Sequence, residues 1–320
     1  MTKRQQLALL LFALSLLAMG GVDAGSSPGF DYGQVYVFGD SLSDTGNLAS
    51  VNGDFPPPYY MNRVSNGPVA VDALAAKLGL DAQASLYLIG AEQGGNYAVA
   101  GARANGAAPI NLRAQVLSFQ ANHGYQAPAD ALYVMFIGGN DVRDARDESD
   151  PMLAWQTVRA AAVVVREAMS MLAASGAKKF LVINTPDIGL IPETRLLAAA
   201  TEDPSIVMRA HWMSSLYRFA LHQEVRKLRR HHHIELAEFD LLKRFTQLIR
   251  HADKLGFSHT TEPCFYLQTQ QFHPDCNYGL NADQFIFFDE IHPTTRVHGM
   301  IGEAFFETLH QVRRRPVFKH

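Results

Sequence analysis

The chain has only two cysteines in 320 residues, no excess of basic charge, and no apolar run of the roughly 20 residues that a membrane-spanning helix needs. Cys264 and Cys276 are not part of a CxxC pair, which argues against the usual zinc arrangements. Lys and Arg number 28 against 31 Asp and Glu, a formal net charge of −3, so the electrostatic footprint of a nucleic-acid-binding protein is missing. The tight basic runs, 226–230 and 313–315, read as solvated helix ends, where cations are favourable. The tract His231-His232-His233 reads the same way. There is no H-E-x-x-H and no P-loop. The single G-x-S-x-G, Gly25 to Gly29, has no strand before it and a proline after its serine, and reads as accidental. With 48% hydrophobic and 18% charged residues, disorder and low-complexity architecture are excluded.

Lys3 and Arg4 precede Leu7–Met19, which is apolar except for Ser15, and Val22-Asp23-Ala24 follows with small residues flanking a cleavage position. This pattern predicts a signal peptide over residues 1–24, cut near Ala24/Gly25, and an exported protein, periplasmic or secreted. Residues 25–320 show no linker, repeat or change of composition, so one domain is expected. In an oxidising compartment Cys264 and Cys276, twelve positions apart, are expected to form a disulfide. His259 and His273 lie nearby, but no metal is expected.

Apolar, β-rich runs occur at Gln34–Phe38, Leu132–Ile137, Phe180–Ile183, Ile234–Phe239 and Phe285–Phe288, with a weaker one at Leu86–Ile89. Helical patterns lie between them: Pro68–Leu80, Ala154–Ala174, and a long stretch from Pro204 with Met208, Trp212, Leu216, Phe219, Leu221, Val225 and Leu228 at helical spacing. Continuous apolar strands separated by helices predict an α/β fold with a mostly parallel sheet covered on both faces. Function then concentrates where strands end at their carboxyl edge. Three runs end there in polar segments: Gly39-Asp40-Ser41-Leu42-Ser43-Asp44-Thr45-Gly46-Asn47, Gly138-Gly139-Asn140-Asp141, and Asp289-Glu290-Ile291-His292-Pro293-Thr294.

That inventory suits nucleophilic acyl transfer. A serine hydroxyl needs a base to take its proton. An imidazole, with an ordinary pKa of about 6.5, can do so near neutral pH. Asp289, three residues before His292, can bind Nδ1–H in a tight turn and fix the tautomer. Fixed donors must meet the charge on the tetrahedral intermediate. Ser41 N–H and the Asn140 amide are candidates. Asp40, Asp44, Asn47 and Asp141 are expected to bind backbone N–H groups of the turns.

The segments FGDSLSDTGN, Asn96-Tyr97-Ala98-Val99-Ala100-Gly101-Ala102, GGND and DEIHPT resemble, in order, the four blocks of the GDSL or SGNH hydrolase family. Asn62-Arg63-Val64-Ser65-Asn66-Gly67-Pro68 is also similar to the G-R-F-S-N-G-P of its bacterial phospholipase/lecithinase/hemolysin branch, departing at Asn62 and Val64. The resemblance implies a three-layer α/β/α sandwich with a flavodoxin-like sheet. It also implies a catalytic triad of Ser41, Asp289 and His292, an oxyanion hole of Ser41, Gly101 and Asn140, and no cofactor. The implied substrates are small-molecule or lipid carboxylic esters. Lysophospholipids and short acyl esters come first, then choline esters, then acetylated carbohydrates. A non-catalytic lipid- or glycan-binding module on the same fold is the alternative of another class. Contact with a membrane surface would be transient, and the oligomeric state is left open.

For the substrate pocket the residue pattern offers Phe55, Tyr59 and Tyr60, which come after the nucleophile block, and Phe265 and Tyr266 inside the cysteine loop. That loop also carries Leu267 and Phe272. It is expected to border the active site as a lid or acyl-pocket wall, with packing onto a neighbouring helix as the other reading.

Overall fold

The computed structural model describes residues 32–231 and 233–314. The expected signal peptide and the isolated G-x-S-x-G lie outside them. The first three apolar runs form β1 (Val35–Gly39), β2 (Leu132–Phe136) and β3 (Lys179–Ile183), and the run after the long helix forms β4 (Glu235–Phe239). These four strands pair in parallel in the order β1-β2-β3-β4. Every residue of β1 and β2 is buried, as expected of strands covered on both faces.

Strand alternation sends successive side chains to opposite faces. On one face the register Tyr36↔Tyr133↔Phe180 stacks three rings at centroid spacings of 5.4 and 5.5 Å. Phe119, on the helix Leu112–Asn122, packs edge-on against Tyr36 and Tyr133. On the other face Phe136 and Phe239 receive Phe305 of the last helix, Thr295–Arg314, at 5.8 and 4.9 Å.

In chain order the helices are α1 (Ala70–Lys77), α2 (Leu112–Asn122), α3 (Gly139–Asp147), α4 (Pro151–Ala174), α5 (Pro192–Ala200), α6 (Ser205–His231), α7 (Leu241–Arg250) and α8 (Thr295–Arg314). A single helical turn, Ala49–Asn52, precedes α1. α4 packs on α6, α3 and α2, while α1 packs on α8, giving a helical layer on each side of the sheet. The result is an α/β/α sandwich. None of the described helices is long and apolar enough to cross a membrane.

Three local expectations are corrected. Leu86–Ile89 is not a strand: Tyr87–Ile89 is a 3₁₀ turn entered through a left-handed Leu86, and the chain beside β1 is instead reduced to single bridges through Asn96. Pro68 does not open α1, which starts two residues later, with the Asp72 carboxylate accepting the Val69 N–H at 2.9 Å. The Phe285–Phe288 run does not join the four-stranded sheet. Its strand β8 (Phe285–Phe287) pairs with β5 (His259–Pro263) in a separate parallel ladder. Between these two strands a short hairpin of β6 (Phe265–Tyr266) and β7 (Gln271–Phe272) forms inside the cysteine loop.

α6 forms where helical spacing placed it, but Met208, Trp212 and Phe219 are 64%, 66% and 63% exposed. The buried stripe is Ile206, Ala210, Met213, Tyr217, Leu221, Val225 and Leu228, whose spacing also satisfies a helix.

Candidate active site

β1 ends at Gly39, where a Cβ would lie 2.6 Å from the Phe136 carbonyl oxygen, so only glycine lets the two strand ends approach this closely. The chain then makes one turn. The Asp40 carbonyl accepts the N–H groups of Ser43 and Asp44 at 3.0 Å each, and the Asp40 carboxylate accepts Leu42 N–H at 3.1 Å. No long helix follows directly, so Ser41 sits on a tight turn rather than at a strand-to-helix junction.

From the other end of the chain, β8 delivers Asp289 and His292. Asp289 Oδ1 accepts the N–H groups of Ile291 and His292 at 2.8 Å each, which closes the turn. His292 Nδ1 lies 2.8 Å from both carboxylate oxygens, and its Nε2 lies 2.8 Å from Ser41 Oγ. Asp289 is fully buried and His292 is 7% exposed. Burial alone would push the Asp289 carboxyl up. The His292 charge, its hydrogen bond and the two backbone donors outweigh that and hold it below the ordinary carboxylate range. An ionised carboxylate thus keeps Nδ1 as the donor and leaves Nε2 free to take a proton from the serine.

Asn140 opens α3, just past the carboxyl end of β2. Arg143, one turn on, donates through Nη1 to Asn140 Oδ1 at 3.1 Å, and Asn140 Nδ2 donates to the Ala102 carbonyl at 2.9 Å. Guanidinium only donates, so it fixes which end of the amide faces it and leaves the NH₂ toward the 101–102 segment. Glu193 holds Arg143 through Nε at 3.2 Å and through Nη2, and also accepts from Arg146 Nη1 at 2.6 Å. Gly101 has φ +83°, where an L side chain is strained although there is room for one. Among the described residues, neither Ser41 N–H nor Gly101 N–H makes a hydrogen bond.

The acidic residues of the motifs bind the turns that carry these groups. Asp44 accepts from the N–H groups of Gly46, Asn47 and Ala100 at 2.8, 2.7 and 2.8 Å, and Asp141 from those of Ala104 and Asn105 at 2.7 and 3.0 Å. Asn47 donates to the carbonyls of Asn96 and Ala98. Burial raises the carboxyl pKa of Asp40 to about 6 and of Asp141 to about 7, against the backbone hydrogen bonds that oppose it.

Ser41, Asn140 and His292 line one cleft, whose apolar walls are Leu42, Ile188, Ile191, Phe245, Phe287 and Ile291. Sequence reasoning did not find Ile188 and Ile191, from the loop after β3, or Phe245, from α7; Leu42, Phe287 and Ile291 lie in or beside the motif segments themselves. The aromatics it offered stand behind the Asp289 carboxylate or at the surface rather than along these walls. Phe265 is 2% exposed in a cluster with Cys264, Cys276, Phe285 and Phe288, against which Tyr59, Leu267 and Phe272 pack. Phe55 meets Tyr59 edge-on at 6.2 Å, Tyr60 is 40% exposed, and Tyr266 stacks on His273. Of the five residues offered for the pocket, Phe265 and Tyr59 thus pack in the disulfide-centred cluster, and none is among the side chains that line the cleft at Ser41. Cys264 and Cys276 are bonded to each other, and both are buried.

Asp275 brings a third polar group to His259 and His273. Its carboxylate lies 3.4 Å from His259 Nε2, and its N–H donates to His273 Nδ1 at 3.2 Å, so the three groups partner one another.

The sequence model of the GDSL-like Lipase/Acylhydrolase family matches residues 35–305. Among characterised proteins, the chain is 27% identical to a phosphatidylcholine-sterol acyltransferase of Aeromonas hydrophila, over 91% of this chain and 93% of that one. It is 26% identical to a thermolabile hemolysin of Vibrio parahaemolyticus, over 86% of this chain and 63% of the relative. It is 31% identical to Lipase 1 of Photorhabdus luminescens over 57% of this chain, which spans 26% of that longer protein. The order of the motifs, the α/β/α sandwich and the match over almost all of the described chain agree, and the protein belongs to the GDSL-like lipase/acylhydrolase family of carboxylic ester hydrolases.

Proposed function

We propose that the protein is an exported serine esterase of the lysophospholipase or short-acyl type, with Ser41 as nucleophile, His292 as general base and acid, and Asp289 as the orienting carboxylate. The observation that carries this reading is the unbroken chain from Ser41 Oγ through His292 Nε2 and Nδ1 to Asp289, each contact 2.8 Å long. Ser41 Oγ attacks the ester carbonyl carbon as its proton passes to Nε2. The oxyanion is met by Ser41 N–H, Gly101 N–H and the Asn140 amide. Collapse breaks the C–O bond, and the proton on Nε2 goes to the departing alkoxide. Water, deprotonated by the same imidazole, then attacks the acyl-serine and returns the serine hydroxyl. The chain's own groups carry every proton and charge in this sequence, so no cofactor is required.

The apolar side chains Leu42, Ile188, Ile191, Phe245, Phe287 and Ile291 beside Ser41 and His292 support an acyl group as the part of the substrate that enters the cleft. The name of the Aeromonas relative, a phosphatidylcholine-sterol acyltransferase, supports a phospholipid ester as the lipid substrate. Export is supported by the residue pattern at 1–24 and by a disulfide, which persists in oxidising compartments.

Ser41→Ala and His292→Ala test the reading. Each should lower kcat on short-acyl esters by roughly 10⁴-fold or more, and the double variant should lose little beyond either single one. Turnover near the wild-type rate in purified Ser41→Ala would end it.

A further inference from the structure

The Asp289 carboxylate is fully buried, and its two oxygens are held differently. Oδ1 accepts the N–H groups of Ile291 and His292 from its own turn. Apart from the imidazole, Oδ2 has one donor among the described residues: the hydroxyl of Tyr59, 230 positions away in sequence, at 2.9 Å. The Tyr59 ring is fixed from several sides. It meets Phe288 edge-on at 5.5 Å and Phe265 and Phe55 at 6.2 Å each, within the aromatic cluster built around the Cys264–Cys276 disulfide. Two rotatable torsions held by that packing aim the hydroxyl at one place.

We propose that Tyr59 is a positioning residue for the catalytic carboxylate: its hydroxyl, clamped by the disulfide-centred cluster, fixes the rotation of Asp289 against His292 and withdraws charge from Oδ2. The proposal rests on the serine-esterase reading of the site. Burial and the neighbouring carboxylate push the Tyr59 hydroxyl well above its ordinary pKa, so it remains a donor throughout the working range. A carboxylate that loses this donor carries more charge on Oδ2 and holds a proton on the imidazole more tightly. It is also held against turning about its Cβ–Cγ bond only through Oδ1, by the two N–H groups of its own turn, so that Nε2 is aimed less tightly at Ser41. The role the residue pattern offered for Tyr59, contact with substrate, predicts something different: weaker binding with unchanged chemistry.

Tyr59→Phe keeps the ring and removes only the hydroxyl. On a short-acyl ester kcat should fall about tenfold with KM unchanged, as for an interaction used in the transition state. The acid limb of the kcat/KM profile should move to higher pH by about half a unit. In an Asp289→Asn background the same substitution should cost kcat almost nothing further, because its target is gone. Ser41→Ala, assayed alongside, separates the two claims: if it keeps turnover the esterase reading fails, whereas a dead Ser41→Ala beside an unaffected Tyr59→Phe defeats only the present one. Three results would overturn the proposal. One is an unchanged kcat and pH profile in Tyr59→Phe, with a loss of thermal stability only in Tyr59→Leu, which makes the residue a packing element. Another is a change confined to KM. The last is an equal loss of kcat in the Asp289→Asn background.

Discussion

His298 lies near the start of α8, fully buried, and no step of the chemistry uses it. Its Nδ1 accepts the Ala70 N–H at 3.2 Å, which makes Nε2 the protonated nitrogen, and Nε2 has no partner among the described residues. Protonating Nδ1 would break that bond and place a charge in a fully buried site. Burial first, and the His292 charge second, lower its pKa to about 3, with Asp289 opposing. The unfolded chain takes up the same proton near pH 6.5. Between those two values the unfolded state binds more protons than the native one, so this group's contribution to stability is complete above about pH 6.5 and is lost as the pH falls toward 3. At pH 5 the loss comes to about 2 kcal/mol relative to pH 8. His298→Gln cannot titrate and retains an acceptor for Ala70 N–H. Urea unfolding of both proteins at the two pH values gives the answer as a difference of differences. The stability advantage of wild type over the variant should shrink by about 2 kcal/mol at pH 5. Asp40 and Asp141, with raised pKa values, titrate with the opposite sign, but they are present in both proteins and cancel. An advantage that stays constant between the two pH values would refute the reasoning.

Asn140→Ala should lower kcat about 10²- to 10³-fold with little change in KM, as for an oxyanion donor; a change confined to KM would make the amide a ground-state contact. Replacing Phe265, Tyr266 and Leu267 together with Ser should destabilise the fold by at least about 3 kcal/mol, the cost of emptying the Phe265 site alone. The acyl-chain-length profile of the folded fraction should stay flat, and an altered profile would return the loop to the cleft wall.

The parts of the site carried by strand ends were legible in the residue pattern. β1 and β2 are short, continuous apolar runs, and the polar residues just after each of them fall at one edge of a parallel sheet. The Asp289/His292 turn reaches the same place by another route, since β8 pairs with β5 and not with the main sheet. Knowing that a strand exists does not say with which strand it pairs. Tyr59 illustrates a second limit: its bond to Asp289 joins residues 230 apart, and no local period encodes such a contact. The α6 helix shows a third. Two apolar stripes run along it, both at helical spacing, and only packing on α4 and α3 decides which is buried. Arg143 was within reach of the pattern, since it lies three residues after Asn140, the spacing at which helical side chains meet.

The central claim is that Ser41 is the activated nucleophile, and covalent trapping tests it most directly. A fluorophosphonate incubated with the purified protein should add one phosphonyl group per chain, located by peptide mass mapping to Ser41, with labelling abolished in Ser41→Ala and greatly slowed in His292→Ala. A protein that hydrolyses short-acyl esters but stays unlabelled, or carries the label on another residue, would contradict the account.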